Sequence, residues 1–406
     1  MKSIILLGDG MADGPVAELG NLTPLAAARK PAMNRIAREG RSGLFRTLEP
    51  GMSSGSAAAN LSVLGYDPCL LFPNGDGRSV LEAASLGIEL AGDDLALRAN
   101  LITIEDGRIR SHSAGHISSG EARVLIEELS DRFRDRGIRL YPGLSYRHIL
   151  VMPGGNPAIS CTPPHDHLGL EFEPLMVKPA SPSAKATADL LNGLILDSSP
   201  SLETHEVNRK RKAGGKLPAN SIWPWSPGIK PRIMTLQDRF QISSGAVICA
   251  VDLIKGIGKY AGLEVVDVPG ATGGYDTDYE AKADACLESI RTHDFVYVHV
   301  EAPDEAGHEK NAALKKNCIE DLDSRLVARI LDGLGESIRG VRIALLTDHP
   351  TPVATGAHAR DPVPVSIMGP GFEPDSVDRY DESSASRGGL GMLAGDEFIR
   401  MMLKKA

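Results

Sequence analysis

The chain has 406 residues and a formal net charge of −9. That length exceeds what one simple core fills and leads us to expect two domains. With 42% hydrophobic and 24% charged residues, the composition is that of an ordinary globular protein. Its acidic balance offers no general attraction to nucleic acid or to an anionic membrane, so an anionic substrate would have to be drawn by a local basic cluster.

In chain order, Ser3 to Leu7 reads as a buried strand that ends at Gly8-Asp9-Gly10. The apolar run of MKSIILLGDGMAD is too short for a signal peptide, and a cytoplasmic protein is expected. A helical pattern follows from Thr23 to Gly40. The stretch SSGSAAANLSVLG, residues 53 to 65, then leads small residues into an apolar helix. Ser56 falls at or near its N-terminus, where free N–H groups and the helix dipole favour negative charge. That position suits an alkoxide nucleophile or a bound phosphate, and equally a plain capping serine.

From 76 to 235 the pattern changes. Irregular stretches such as TPPHDHLG, SPSAKATAD and WPWSPG surround a charged helical piece, Leu202 to Lys212. We expect an inserted substrate-binding domain over 76–235, with a core domain built from 1–75 and 236–406. The parent sheet resumes near Gly245. Phe295 to Val300 and Val341 to Leu346 are buried-strand patterns around a helical one, Ala312 to Leu334, which predicts a parallel crossover. Val363 to Met368 adds a strand and Gly395 to Lys405 a closing helix. The fold class expected is α/β, a mostly parallel sheet flanked by helices, with a smaller inserted α/β domain. No run of about 18 apolar residues predicts a membrane span. The cysteines, Cys69, Cys161, Cys249, Cys286 and Cys318, never fall in CxxC spacing and read as thiols of a reducing compartment.

Asp9 follows the first strand. EAPDEAGH, after the strand at 295–300, carries Asp304 and His308. TDHPTPVATGAHARDP, after the strand at 341–346, carries Asp348, His349 and His358. Residues just beyond the C-termini of parallel strands share one rim of the sheet, so these groups can converge. Oxygen and nitrogen donors without thiolate suit Mn²⁺, Zn²⁺, Mg²⁺ or Co²⁺. Six such side chains are too many for one tetrahedral ion with an open position, whereas two ions about 3.5–4 Å apart would use them.

ILLGDGMAD, GSAAANLSVLGYDP, GATGGYDT, DEAGH and TDHPTP together resemble the archaeal-type cofactor-independent phosphoglycerate mutases of the alkaline phosphatase superfamily. The resemblance runs from Ile4 to the C-terminus and implies an alkaline-phosphatase-like core. It implies that Ser56 is the nucleophile that takes the phosphoryl group and also ligates a metal. Asp9, Ser56, Asp348 and His349 would form one metal site, and Asp304, His308 and His358 the other. Two divalent ions follow, Mn²⁺ foremost with Zn²⁺, Mg²⁺ or Co²⁺ as alternatives, and no bisphosphoglycerate cofactor. The implied reaction interconverts 3-phosphoglycerate and 2-phosphoglycerate through a phosphoserine. The partner would be a small phosphorylated metabolite, with no nucleic acid and no membrane; the oligomeric state stays open.

Three positions depart from the family pattern. Ala57 replaces an acidic residue after the nucleophile, His112-Ser113-Ala114-Gly115-His116 stands where an Arg-rich segment is usual, and Trp225 stands where an Arg is expected. The anchors that are present are Arg98, Arg147 and Lys255 for carboxylate or phosphate, with His165 and Asp166 able to move a proton between hydroxyls. The missing arginines leave room for a related homoserine kinase-like phosphotransferase, favoured by LEAASLGIEL, SAGHIS and NSIWPWSPG, although no GxxxxGK[ST] loop is present. A metal-dependent phosphohydrolase is the other enzymatic reading. A catalytically dead scaffold would lack ligands or nucleophile, and all seven positions are filled. Hinges near 76 and 235 would close the two domains around the substrate.

Overall fold

The computed structural model of the chain describes residues 2–73 and 77–403. It divides into two compact units, Met1–Leu71 with Ile233–Ala406, and Phe72–Arg232.

The larger unit is built on an eight-stranded sheet. Its strand order is Glu264–Val266, Gly245–Ile248, Phe295–Val300, Lys2–Gly8, Val341–Leu346, Val363–Met368, Gly40–Arg46 and Gly391–Ala394. All neighbours pair in parallel except Val363–Met368, which runs antiparallel to both of its partners. The central strand carries Ile4, Ile5, Leu6 and Leu7, each at most 1% exposed. Such a run, apolar on both faces, is what a parallel strand covered by helices on both sides requires. Helices Tyr279–Thr292 and Pro31–Arg38 and the run from Ala312 to Leu334 supply Cys286, Ile36, Ile319 and Ile330 to one core cluster with the sheet.

Three elements differ from expectation. The helix expected over Thr23 to Gly40 is two helices, Pro24–Ala27 and Pro31–Arg38, because Pro31 has no N–H to continue the first helix and instead begins the second. Gly40 already belongs to the next strand. The run from Ala312 to Leu334 is helical throughout but passes through a π-helical segment, Leu322–Val327. The charged piece Leu202 to Lys212 is split at His205, whose extended backbone ends Lys185–Thr204 and whose Nδ1 accepts from Val207 N to cap Glu206–Ala213. The closing helix is Glu397–Leu403; the rest of the expected span and the expected boundary at 75/76 touch residues outside the described ones.

The smaller unit is antiparallel throughout its main sheet. Asp94–Glu105 pairs with Arg147–Pro153, Ser221–Ile229 and Arg108–Ser111, and Arg139–Tyr141 adds an edge to Arg147–Pro153. Leu95, Leu97, Ala99 and Leu101 from the long strand pack with Leu125 and Leu129 of Ser119–Phe133 and with Leu191 and Leu194 of Lys185–Thr204. Among the described residues no helix is long and apolar enough to cross a membrane.

Candidate active site

Three adjacent parallel strands deliver the chemistry. Lys2–Gly8 lies between Phe295–Val300 and Val341–Leu346, with Gly8 opposite Val300 and Leu7 opposite Leu346. Their next residues therefore emerge on one rim: Asp9, then Glu301 and Asp304, then Asp348 and His349. Asp9, Asp348 and His349 are completely buried, and Asp304 is 3% exposed. The chain turns sharply after Asp9 because Gly10 takes φ +61, and a Cβ there would lie 2.4 Å from Asp304 Oδ1. Only glycine fits that approach.

Ser56 is the first residue of the helix Ser56–Val63. Its Oγ lies 3.1 Å from His349 Nε2. One buried amide, Asn60, ties this helix to the rim: Nδ2 donates to Asp348 Oδ2 at 2.9 Å and to Ser56 O at 2.9 Å. Its Oδ1 accepts from Tyr297 OH. Asp348 Oδ1 accepts from Gly10 N at 3.1 Å and from His349 N at 2.9 Å.

Hydrogen bonds determine which ring nitrogens are bare. Thr351 Oγ1 donates to Asp304 Oδ1 and so accepts from His349 Nδ1 at 3.2 Å. His349 Nε2 then carries a lone pair toward Ser56. His308 Nδ1 donates to Gly356 O at 2.9 Å and His358 Nδ1 to Ser54 O at 3.2 Å. Their Nε2 atoms face each other at 3.0 Å, and His308 Nε2 is also 3.0 Å from Asp304 Oδ2. Two lone pairs that close repel unless a cation sits between them. Without a metal that cation is a proton: the hydrogen bond to Asp304, above all, holds His308 up at about 9.

The carboxylates give the same answer. Burial foremost, then Asp348, Glu301 and Asp304, holds Asp9 well above the usual carboxylate range. Burial foremost, then Asp304, pushes Glu301 up to about 8. Burial also opposes ionisation of Asp304, but hydrogen bonds from His308 and His358 outweigh it and keep that carboxyl low. Burial foremost lowers His349, which stays neutral and able to ligate. Asp9 Oδ1, Glu301 Oε2 and His299 Nδ1 are buried without a hydrogen-bond partner among the described residues. Among the described residues, three donor groups have ligating atoms within 4.8 Å of one another: Asp304, His308 and His358; Asp9, Asp304 and His349; and Asp9, His299 and Glu301. An excess of buried acid, neutral imidazoles and orphaned oxygens is a donor set that fits divalent cations.

The anchor candidates fall in different places. Arg98, Arg147, His165 and Asp166 belong to the smaller unit, and Lys255 to the larger. Arg98 is 5% exposed, pairs with Glu82 at 3.0 Å and lays its guanidinium 4.5 Å over the Trp225 ring. His165 packs edge-on against Trp225 at 5.3 Å and against His112 at 6.2 Å, with Asp166 Oδ1 3.7 Å from its Nε2. Burial lowers the His165 pKa; Asp166 opposes this, and the charges of Arg98, Arg78 and Arg147 add to the lowering. Arg147 stacks on Tyr146 at 4.5 Å. Lys255 Nζ is 3.7 Å from Asp267 Oδ1.

Residues 37–208 match the family model of 2,3-bisphosphoglycerate-independent phosphoglycerate mutase. The whole chain is 48% identical to the protein of that name from Methanosarcina acetivorans, with all of both chains covered. The chain belongs to the 2,3-bisphosphoglycerate-independent phosphoglycerate mutase family. Among solved structures, one from Pyrococcus horikoshii is 31% identical with a TM-score of 0.84, over 99% of this chain and 96% of that one. The cofactor-independent phosphoglycerate mutase from Thermoplasma acidophilum is 30% identical with a TM-score of 0.70, over 99% of each chain.

Within this family member, several contributors to the site were missed by sequence reasoning. His299 is 1% exposed and donates from Nε2 to Asp9 Oδ2 at 3.0 Å. Burial foremost pulls its pKa down to about 4. It hid inside the strand FVYVHV, where one imidazole among apolar residues was the available signal. Glu301 follows that strand directly, as Asp9 follows its own. Asn60 lies four residues after Ser56, hence on the same helical face. Of the departures, Ala57 is 6% exposed, so an acidic side chain there would be buried, and Trp225 forms the floor beneath Arg98.

Proposed function

We propose that the chain interconverts 3-phosphoglycerate and 2-phosphoglycerate through a phosphoserine at Ser56, with two bound divalent cations and no bisphosphoglycerate. The observation that carries this reading is the convergence of Asp9, Asp304, Asp348 and His349 from three neighbouring strand ends, with Ser56 Oγ 3.1 Å from His349 Nε2. Asp9, Ser56, Asp348 and His349 would hold one ion, and Asp304, His308 and His358 the other, with Mn²⁺ as the first candidate. Such ions would lower the pKa of the serine hydroxyl and offset charge on the phosphoryl oxygens.

The remaining chemistry belongs to side chains. Ser56 gives up its hydroxyl proton as Oγ attacks phosphorus, the bond from phosphorus to the 3-oxygen breaks, and that oxygen takes a proton. The glycerate reorients, its 2-hydroxyl gives up a proton and attacks the phosphoserine, and Ser56 Oγ leaves and takes a proton back. His165 and Asp166 are the groups we assign to proton movement between the two hydroxyls. Arg98 and Arg147 are assigned to the substrate's anionic groups, together with Lys255. Asn60 holds the backbone of Ser56 and the carboxylate of Asp348 through one amide, which keeps nucleophile and rim in register.

Replacement of Ser56 by alanine tests the nucleophile. Brief incubation with ³²P-labelled 3-phosphoglycerate should label the native chain and leave Ser56→Ala unlabelled. Acid-stable phosphoserine in that variant would remove Ser56 from the role. Homoserine with ATP is the rival substrate pair, supported by His112, His116 and Trp225 at positions where arginine was expected.

A further inference from the structure

A separate cavity of about 280 Å³ opens beside the start of the helix Pro31–Arg38, with Ala28 and Pro31 as apolar wall and Arg29, Lys30, Asn34 and Arg379 as polar wall. The volume is near the lower end of the range for small-molecule sites. None of the candidate active-site residues lines it, and no carboxylate does.

None of its cationic side chains is held in a hydrogen bond or ion pair among the described residues. Lys30 is 3% exposed, yet among the described residues its ammonium has no hydrogen-bond or ion-pair partner. The guanidinium groups of Arg29 and Arg379, both exposed, have none either. The acids that stabilise the Lys30 charge from nearby are committed elsewhere. Asp323 accepts from Ala32 N at 3.3 Å and Met33 N at 2.7 Å, Glu382 from Asp13 N and the Thr23 hydroxyl, and Asp381 from Ser384 N. Asn34 Oδ1 accepts from Tyr380 N at 3.0 Å, which leaves its amide nitrogen as a donor without a partner among the described residues. The helix end itself contributes nothing, because Pro31 has no N–H and the next two are held by Asp323. Burial foremost lowers the pKa of Lys30, against the opposing charges of Asp381, Glu382 and Asp323.

Three cations and an amide donor, with no acid on the walls, select a compact polyanion in a chain whose overall charge is negative. We propose that this cavity is a second anion site, distinct from the active centre, that binds a small phosphate-bearing anion, either inorganic phosphate or a short phosphate ester. Its occupancy would bridge Arg29, Lys30 and Arg379 and join Pro31–Arg38 to the segment around Arg379.

Equilibrium dialysis of the metal-loaded chain against ³²P-phosphate tests this. Arg29→Ser/Arg379→Ser alters two exposed side chains and should fold as the native chain does. It should bind one equivalent less phosphate per chain at a concentration that saturates the native protein, with interconversion of the phosphoglycerates unchanged. Equal stoichiometry in the two proteins would overturn the proposal. Lys30→Met supplies a second readout: phosphate should raise the melting temperature of the native chain more than that of the variant, and an identical rise would count against the site. Competition with unlabelled glycerol 3-phosphate identifies the ligand. Displacement of the distinguishing equivalent assigns the site to phosphate esters, and its retention assigns it to free phosphate.

Discussion

Asn60→Ala isolates the joint between Ser56 and the carboxylate rim. The substitution removes a hydrogen bond of 2.9 Å to the Asp348 carboxylate and another of 2.9 Å to Ser56 O. It also leaves Tyr297 OH, in a side chain only 1% exposed, without its acceptor. A hydrogen bond to a charged group contributes about 1.5–3 kcal/mol, and an orphaned buried donor costs about 1–3 kcal/mol. Together these predict a loss of roughly 3–5 kcal/mol, a large share of the total stability of a domain. The assay is urea unfolding followed by far-ultraviolet circular dichroism. Tryptophan fluorescence would miss the effect, because both tryptophans, Trp223 and Trp225, lie in the smaller unit. Activity should fall about 10–100-fold, as when a partner that orients a metal ligand is removed. A loss below about 1 kcal/mol with unchanged turnover would refute the argument that this amide sets the geometry.

His299→Gln removes the imidazole that orients Asp9 and should weaken binding of divalent cation about 10–100-fold by calorimetric titration; unchanged affinity would reduce His299 to packing. The pair of His308 and Asp304 gives the metal-free chain a pH dependence. Because the folded His308 is raised from 6.5 to about 9, its stabilisation is complete below pH 6.5 and is lost as pH rises through about 9. The difference in unfolding free energy between the chelator-treated native chain and His308→Gln should shrink over that window, and a constant difference would contradict the assignment. Gly10→Ala combines a left-handed backbone, φ +61, with a Cβ 2.4 Å from Asp304 Oδ1. Backbone strain alone costs about 1–2 kcal/mol, so denaturant melts should show at least that loss, and assays should show nearly complete inactivation as Asp304 is displaced.

Much of the core was legible because buried parallel strands write themselves as apolar runs. Phe295–Val300, Val341–Leu346 and Val363–Met368 begin and end where the sequence pattern does. Strand direction was not legible, since an apolar run is the same read either way, and Val363–Met368 proved to run against its neighbours. The helix expected over Thr23 to Gly40 overlooked Pro31, which carried its own warning. At the site, Asp9, Asp304, Asp348 and His349 could be read as neighbours because each lies within four residues of a strand's C-terminal end. The groups that fix their protons could not: Gly356 O and Ser54 O are backbone atoms, and Thr351 acts through a hydroxyl that many loops contain. His299 and Asn60 were lost inside apolar elements, where a single polar residue is easily taken for a tolerated one.

The most direct test is the metal-loaded protein given 3-phosphoglycerate with no bisphosphoglycerate, and homoserine with ATP in a parallel reaction. The account predicts 2-phosphoglycerate in the first reaction, lost on chelation and absent in Ser56→Ala, and no phosphohomoserine in the second. Phosphohomoserine without 2-phosphoglycerate would contradict it.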